Sequence, residues 1–158
     1  MGWDSIGAAA LVAGLMLLLL SAGLQDVRTR EIANWKNGLI AAMAPFWWWA
    51  VGLDLWPGVA VQLAVAVAVF GLFLAAFRLG MMGGGDVKMI TALALWFPFP
   101  ELANLLVVMS IAGGLITVAM LIERRWRKGE VEVPYGVAIA IAGLLALREP
   151  ILNHLQNT

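Results

Sequence analysis

Residues 5–24 read SIGAAALVAGLMLLLLSAGL, an uninterrupted apolar run without a charged side chain. A helix that rises about 1.5 Å per residue needs roughly 20 such residues to cross about 30 Å of hydrocarbon. Of the 158 residues in the chain, 63% are hydrophobic and only 13% are charged, well below the charged share of soluble domains. The sequence therefore predicts an all-α membrane protein, and its length fits a single domain over residues 1–158.

Further apolar runs follow at about 37–54, 57–77, 86–97, 101–122 and 134–149. Six spans place nine of the ten Lys and Arg residues on one side and leave only Arg148 on the other. Short loops rich in Lys and Arg stay in the cytoplasm. We therefore expect a polytopic protein of about six transmembrane helices, with both termini outside and the basic stretch 124–128 facing anionic lipid headgroups or an assembly partner.

Most tryptophans fall toward the predicted outer face, where aromatic side chains often form an interfacial belt. We interpret six of them in this way: Trp3, Trp47, Trp48, Trp49, Trp56 and Trp96.

Two acids fall together at the predicted cytoplasmic end. Asp26 follows the first apolar run, and Asp86 follows Gly83-Gly84-Gly85 and begins the fourth. Carboxylates at a membrane margin are costly to bury, so they indicate a functional site. Two that share a site cannot both ionise cheaply, so one can take a proton from water while the other donates one. The plainer alternatives are a helix cap for Asp86 and a loop acid for Asp26.

Three segments resemble the type IV prepilin peptidases, which are intramembrane aspartyl proteases. Gly83-Gly84-Gly85-Asp86 resembles their GxGD motif. The segment from Asp26 to Asn34 resembles the region around their first catalytic Asp, with Ala33 where the family usually has proline. Pro134-Tyr135-Gly136 resembles their Pro-aromatic-Gly segment at the start of the last helix.

The resemblance implies an aspartic endopeptidase that removes the short basic leader of a prepilin or pseudopilin after a glycine. Asp26 and Asp86 would be the catalytic pair at the cytoplasmic face of the bacterial inner membrane, without a metal or cofactor. The chain has no cysteine and lacks the amino-terminal cytoplasmic region of the larger members. It therefore resembles the small peptidase-core forms of tight-adherence (Flp-type) pilus systems. Methyl transfer is not expected, pilus-assembly proteins are candidate partners, and nothing indicates nucleic-acid binding.

Several neighbouring residues are candidates for substrate binding or support, namely Gly83, Gly84, Gly85, Lys88, Asn34, Pro134, Tyr135 and Gly136. For some of them two interpretations are open. Lys88 either acts on Asp86 or substrate, or anchors the helix at the membrane surface. Asn34 either holds the loop near Asp26 or caps the second span. Tyr135 either donates a hydrogen bond in the site or lies at the interface as an aromatic anchor.

Two other functional classes use similar residues. A small transporter or proton-relay protein would handle ions with the same acids. Such proteins often contain inverted repeats with sites near the bilayer midplane, and this sequence has no evident repeat. A non-catalytic subunit of a pilus assembly is the third possibility.

Overall fold

The computed structural model describes residues 6–124 and 135–148, and these residues form helices joined by short connections, with no strand. The all-α prediction is therefore confirmed. The helices are α1 (Ile6–Thr29), α2 (Asn34–Ala50), α3 (Ala60–Arg78, preceded by a π-helical turn at Leu55–Val59), α4 (Gly84–Ala94), α5 (Phe99–Arg124) and α6 (Tyr135–Ala146).

Three stretches of the described chain are long and apolar enough to cross a membrane: Ile6–Thr29, Leu55–Arg78 and Phe99–Met120. The first two contain 24 residues each, more than the roughly 20 that a helix needs to cross the hydrocarbon of a bilayer. Large apolar side chains project outward along all three, for example Leu17 at 67%, Val67 at 70% and Leu115 at 67% exposure. So much exposed apolar surface suits contact with lipid and not with water. The other predicted runs correspond to shorter helices.

The 11-residue helix α4 lies inside the fold and packs against α2, α3 and α6. Its side chains Met89, Ile90 and Leu93 are fully buried. Helix α6 in turn packs between α1 and α5. Close approach of α1 and α6 depends on glycine, because a Cβ at Gly23 would lie 3.0 Å from the Cβ of Ala140. Small residues at such crossings let membrane helices pack closely.

The carbonyl groups at the carboxyl end of α4 are bonded by side chains from α2 and α3. Gln62 Nε2 donates to the carbonyls of Ala94 (2.7 Å) and Phe97 (2.6 Å). The indole N–H groups of Trp48 and Trp47 donate to the carbonyls that lie between these two, at Leu95 (2.7 Å) and Trp96 (3.2 Å). The last carbonyls of a helix have no partner within it, and buried ones must find donors elsewhere. These donors explain how α4 can end inside the protein.

The tryptophan belt is wrong for Trp47 and Trp96, which are buried. Their rings are stacked with centroids 5.6 Å apart, and Trp96 Nε1 donates to the carbonyl of Ile40 at 2.9 Å. They face inward because their N–H groups satisfy buried carbonyls. Trp49 and Trp56 are 85% and 81% exposed, as an interfacial belt requires, and Trp3 lies outside the described residues.

Candidate active site

Asp26 lies in the last turn of α1, and its side chain is buried. Its Oδ2 accepts a hydrogen bond from the backbone N–H of Val137, at 3.2 Å, in the first turn of α6. The first amides of a helix lack partners within the helix and carry partial positive charge, so they suit a carboxylate. A residue 111 positions further along the chain therefore holds Asp26 in place.

Asp86 lies in the first turn of α4, outside the three long apolar stretches, and is also buried. Its Oδ2 accepts a hydrogen bond from the backbone N–H of Gly83 at 3.2 Å, so the side chain turns back over the start of its own helix. Gly83 has an extended backbone, with φ of −75° and ψ of 150°. The carboxyl group of Asp86 thus accepts from the backbone N–H of the N-cap residue, as the acidic residue of a capping box does.

Ile32, in the connection between α1 and α2, packs against the starts of α4 and α6. A Cβ on Gly85 would lie 3.3 Å from the Cβ of Ile32, and one on Gly136 would lie 2.7 Å from its Cδ1. Gly136 also contacts the carboxyl group of Asp26. The end of α1 and the starts of α4 and α6 therefore meet around one buried isoleucine.

The two carboxyl groups are close enough to interact electrostatically. Burial, and after it the negative charge of Asp26, raises the pKa of Asp86 to about 6. The hydrogen bond from Gly83 opposes this rise because it favours the ionised form. The structure thus brings Asp26 and Asp86 together at one end of the helix bundle.

Two hydrogen bonds join the start of α2 to the start of α4. Lys88 Nζ donates to Asn34 Oδ1 at 2.8 Å, and Asn37 Nδ2 donates to the carbonyl of Gly85 at 3.1 Å. Asn34 does not cap α2, because Ala33 is the N-cap residue and the cap has no side-chain hydrogen bond. The capping interpretation of Asn34 is therefore wrong, and its side chain instead connects two helices near the acids.

The other predicted supporting residues have different positions. The ring of Tyr135 packs on α5, with Cε1 3.2 Å from where a Cβ on Gly113 would lie. A Cβ on Gly84 would lie 3.4 Å from the ring of Phe77, so this glycine packs against α3. Pro134 lies outside the described residues.

Sequence reasoning missed the roles of Ile32, Asn37 and Val137 at this site. Asn37 follows Asn34 by three residues, which places both on one face of α2, but this spacing does not identify the backbone carbonyl that Asn37 bonds. Ile32 lies within the segment that resembles the family, but nothing in the sequence distinguishes it from other apolar residues. Val137 contributes only its backbone N–H, and no side-chain pattern identifies such a donor.

The chemistry open to this arrangement is that of two carboxyl groups sharing protons. In each acid Oδ2 accepts a hydrogen bond from a backbone amide at 3.2 Å, from Val137 to Asp26 and from Gly83 to Asp86. No group of three or more His, Cys, Asp or Glu residues that could hold a metal ion occurs in the part of the chain that the structure describes. A buried pair of this kind can hold one proton between two sites and transfer it to a reacting group.

Comparison with known proteins gives partial matches to curated relatives. Two proteins named prepilin leader peptidase/N-methyltransferase, from Aeromonas salmonicida strain A449 and from Aeromonas salmonicida, are each 32% identical to this chain over 66 residues. The match covers 42% of this chain and 22% of each relative. No solved structure matches.

The sequence model of the type IV leader peptidase family covers much more of the chain. It matches residues 13–118, which extend from the first turns of α1 into α5 and include both Asp26 and Asp86. This is about two thirds of the 158 residues. The chain therefore belongs to the type IV leader peptidase family.

Proposed function

We propose that this protein is an intramembrane aspartic endopeptidase that removes the leader of a prepilin or pseudopilin. One observation carries the proposal. Two buried carboxyl groups, on residues 60 positions apart in sequence, lie at one end of the bundle, and the charge of Asp26 contributes to the raised pKa of Asp86. Membership of the type IV leader peptidase family and the names of the Aeromonas relatives support this activity and this class of substrate.

In the proposed reaction Asp26 and Asp86 share one proton at the start of the cycle. The ionised member removes a proton from water as the water oxygen attacks the carbonyl carbon of the leader's final glycine. The protonated member donates its proton to the nitrogen of the cleaved amide, and the pair regains a proton from the attacking water. Because the two groups titrate as a pair, neither Asp26 nor Asp86 is assigned the role of base or of acid.

The proposed location is the bacterial inner membrane, with the acids at the cytoplasmic face. The three long apolar helices and the shorter α2, α4 and α6 would make about six membrane segments in one domain, with both termini outside. The side is proposed from the distribution of Lys and Arg. A prepilin's basic leader would meet the site from the cytoplasm, while its apolar helix stays in the bilayer beside contacting lipids.

We propose that the substrate is an Flp-type prepilin and that the leader is removed without methylation of the new amino terminus. The curated relatives carry both activities in their name, but this chain matches only 22% of their length. Mass spectrometry of the processed pilin tests the methylation point directly. A product heavier by one methyl group, absent when this protein is omitted, would contradict it.

The proposed function is tested by co-expressing a prepilin with the wild-type protein, Asp26→Asn or Asp86→Asn and following the shortened pilin. We expect cleavage by the wild-type protein only, because each amide keeps the side chain's shape but cannot transfer the proton. Asp54→Asn is the matched control, because Asp54 is exposed in the connection after α2. Normal processing by either active-site variant would exclude the mechanism. We also expect activity to survive a strong chelator.

A small transporter or proton-relay protein is the alternative function, since it would use the same buried acids. It predicts proton flux across proteoliposomes that both Asp→Asn variants abolish, in the absence of any prepilin. The peptidase predicts no such flux. The two proposals thus differ in an assay that needs no substrate, and a non-catalytic pilus-assembly subunit would be inactive in both assays.

A further inference from the structure

The first turn of α4 presents almost no side chain by which its neighbours could hold it. Gly83, Gly84 and Gly85 precede Asp86 directly, so only backbone atoms are available there. On one side Ile32 packs against Gly85, whose Cβ would lie 3.3 Å from that of Ile32. A second contact is needed to fix the rotation of this turn, and therefore the direction in which Asp86 points.

Asn37 provides that second contact. Its Nδ2 donates to the carbonyl of Gly85 at 3.1 Å, and the side chain is only 4% exposed. The neighbouring bond from Lys88 to Asn34 joins the same two helices, but both of these residues are exposed. Of these two bonds between α2 and α4, only the one from Asn37 has a buried donor and reaches the residue next to Asp86.

The orientation of the Asn37 amide follows from its partner. Gly85 offers a carbonyl oxygen, so the amide nitrogen must face it. This leaves Asn37 Oδ1 buried and without a hydrogen-bond partner among the described residues. An unsatisfied buried acceptor costs about 1–3 kcal/mol. A leucine of similar size would avoid that cost, and the Gly85 carbonyl would still face the amide four residues along α4. Asn37 is therefore a poor choice for stability alone.

We propose that Asn37 is a positioning residue for the catalytic pair, which rests on the proposed function. Its hydrogen bond to Gly85 fixes the first turn of α4, so that the carboxyl group of Asp86 is held at the correct distance and angle to Asp26. Asn37 touches neither substrate nor the reacting proton. Small displacements matter in such a site, because a misplacement of about 1 Å can lower a rate by roughly 100-fold.

The test measures cleavage kinetics and thermal unfolding of the purified protein in detergent, with a synthetic prepilin peptide that contains the leader, its glycine and the apolar helix. The variants are Asn37→Leu, which removes the donor, and Asn37→Gln, which keeps an amide. Asn104→Leu is the matched control, because Asn104 is exposed on α5 near the residues that follow the opposite end of α4.

For Asn37→Leu we expect kcat to fall by roughly 10- to 100-fold, KM to change by less than about twofold and Tm to stay the same or rise. Asn37→Gln should recover part of the lost kcat, and Asn104→Leu should match the wild-type protein. An unchanged kcat in Asn37→Leu, or a loss of kcat that accompanies a lower Tm, contradicts the positioning role. Absence of cleavage by the wild-type protein contradicts the proposed function itself, and this inference with it.

Discussion

Gly136 lies so close to Asp26 that a Cβ on this glycine would be 2.8 Å from the carboxyl carbon of the acid and 2.9 Å from its Oδ2. The same Cβ would be 2.7 Å from Ile32 Cδ1. Real Cβ atoms do not approach other heavy atoms so closely, so no other residue fits here unless its surroundings move. The first turn of α6 thus forms a wall of the candidate active site.

Gly136→Ala is expected to abolish most of the cleavage activity while leaving the protein folded. The new methyl group must push the Asp26 carboxyl group away from the Val137 N–H or move the start of α6 away from α1. Either change misplaces the acid, and we expect processing to fall by about 100-fold or more. Co-expression with a prepilin measures the effect, and circular dichroism checks the helical content.

The matched control is Gly114→Ala, because a Cβ on Gly114 would have no neighbour within 4 Å. This variant should process prepilin normally and gain up to about 1 kcal/mol of stability from a better helix former. Equal losses of processing in Gly136→Ala and Gly114→Ala would indicate that the helices are generally sensitive to alanine. The loss in Gly136→Ala could then not be attributed to displacement of Asp26.

The three consecutive glycines before Asp86 should tolerate alanine unequally. A Cβ on Gly83 would lie 3.0 Å from Asp86 Oδ2, and one on Gly85 would lie 3.3 Å from Ile32 Cβ and 3.5 Å from the Ile32 backbone. A Cβ on Gly84 would meet only the ring of Phe77, at 3.4 Å, and that ring is exposed enough to move. We therefore expect Gly83→Ala and Gly85→Ala to lower processing about tenfold or more.

Gly84→Ala serves as the internal control for this series and should retain most of the activity. The expected order matches the GxGD motif that this segment resembles, in which the middle position can be any residue. If Gly84→Ala has a normal Tm but is as inactive as Gly83→Ala and Gly85→Ala, the turn needs glycine for its backbone freedom and not for the space that a missing side chain leaves.

The all-helical class was readable from the sequence because long apolar runs leave few alternatives. That Asp26 and Asp86 lie at the same end of the bundle could also be predicted, because acids beside apolar runs are rare and the glycines mark a turn. Their catalytic role stays a proposal. The tryptophans misled the prediction because a Trp at an interface and a Trp donating to a buried carbonyl look alike in sequence.

Gln62 and Asn37 could not have been assigned from the sequence. Each donates to backbone carbonyls on α4 or just beyond it, at separations of 32 and 35 residues for Gln62 and 48 for Asn37. A backbone acceptor carries no residue identity, so no spacing between side chains marks the pair. Only the packing of α2 and α3 against α4 makes these partners visible.

Gln62 is expected to contribute strongly to stability, because it satisfies two buried carbonyls, one at the last residue of α4 and one just beyond it. Gln62→Met keeps the length of the side chain but removes the donor. Leaving these carbonyls without Gln62 should cost about 2–4 kcal/mol and lower the Tm in detergent. Val61→Met is the control, since the neighbouring Val61 is exposed on α3. Equal Tm values for the two variants would refute this role.

Asp86 should make the protein less stable as the pH rises, because its pKa in the folded protein is about 6 and its ordinary value is 3.8. The folded state therefore favours the neutral carboxyl group. The contribution of Asp86 to the free energy of unfolding is most favourable below about pH 4. It declines as the pH rises to about 6 and remains low above that. Two pKa units correspond to at most about 3 kcal/mol, and part of the effect belongs to the pair because Asp26 contributes to the shift.

Asp86→Asn removes this titration, so the variant should be more stable than the wild-type protein at pH 8 and closer to it at pH 4. Unfolding in detergent at the two pH values measures the difference, and Asp54→Asn, at an exposed position, should follow the wild-type protein at both. A stability difference between Asp86→Asn and the wild-type protein that does not change with pH would mean that Asp86 is already ionised or well solvated in the folded state. Asp86 would then not be the member of the pair that holds a proton for catalysis.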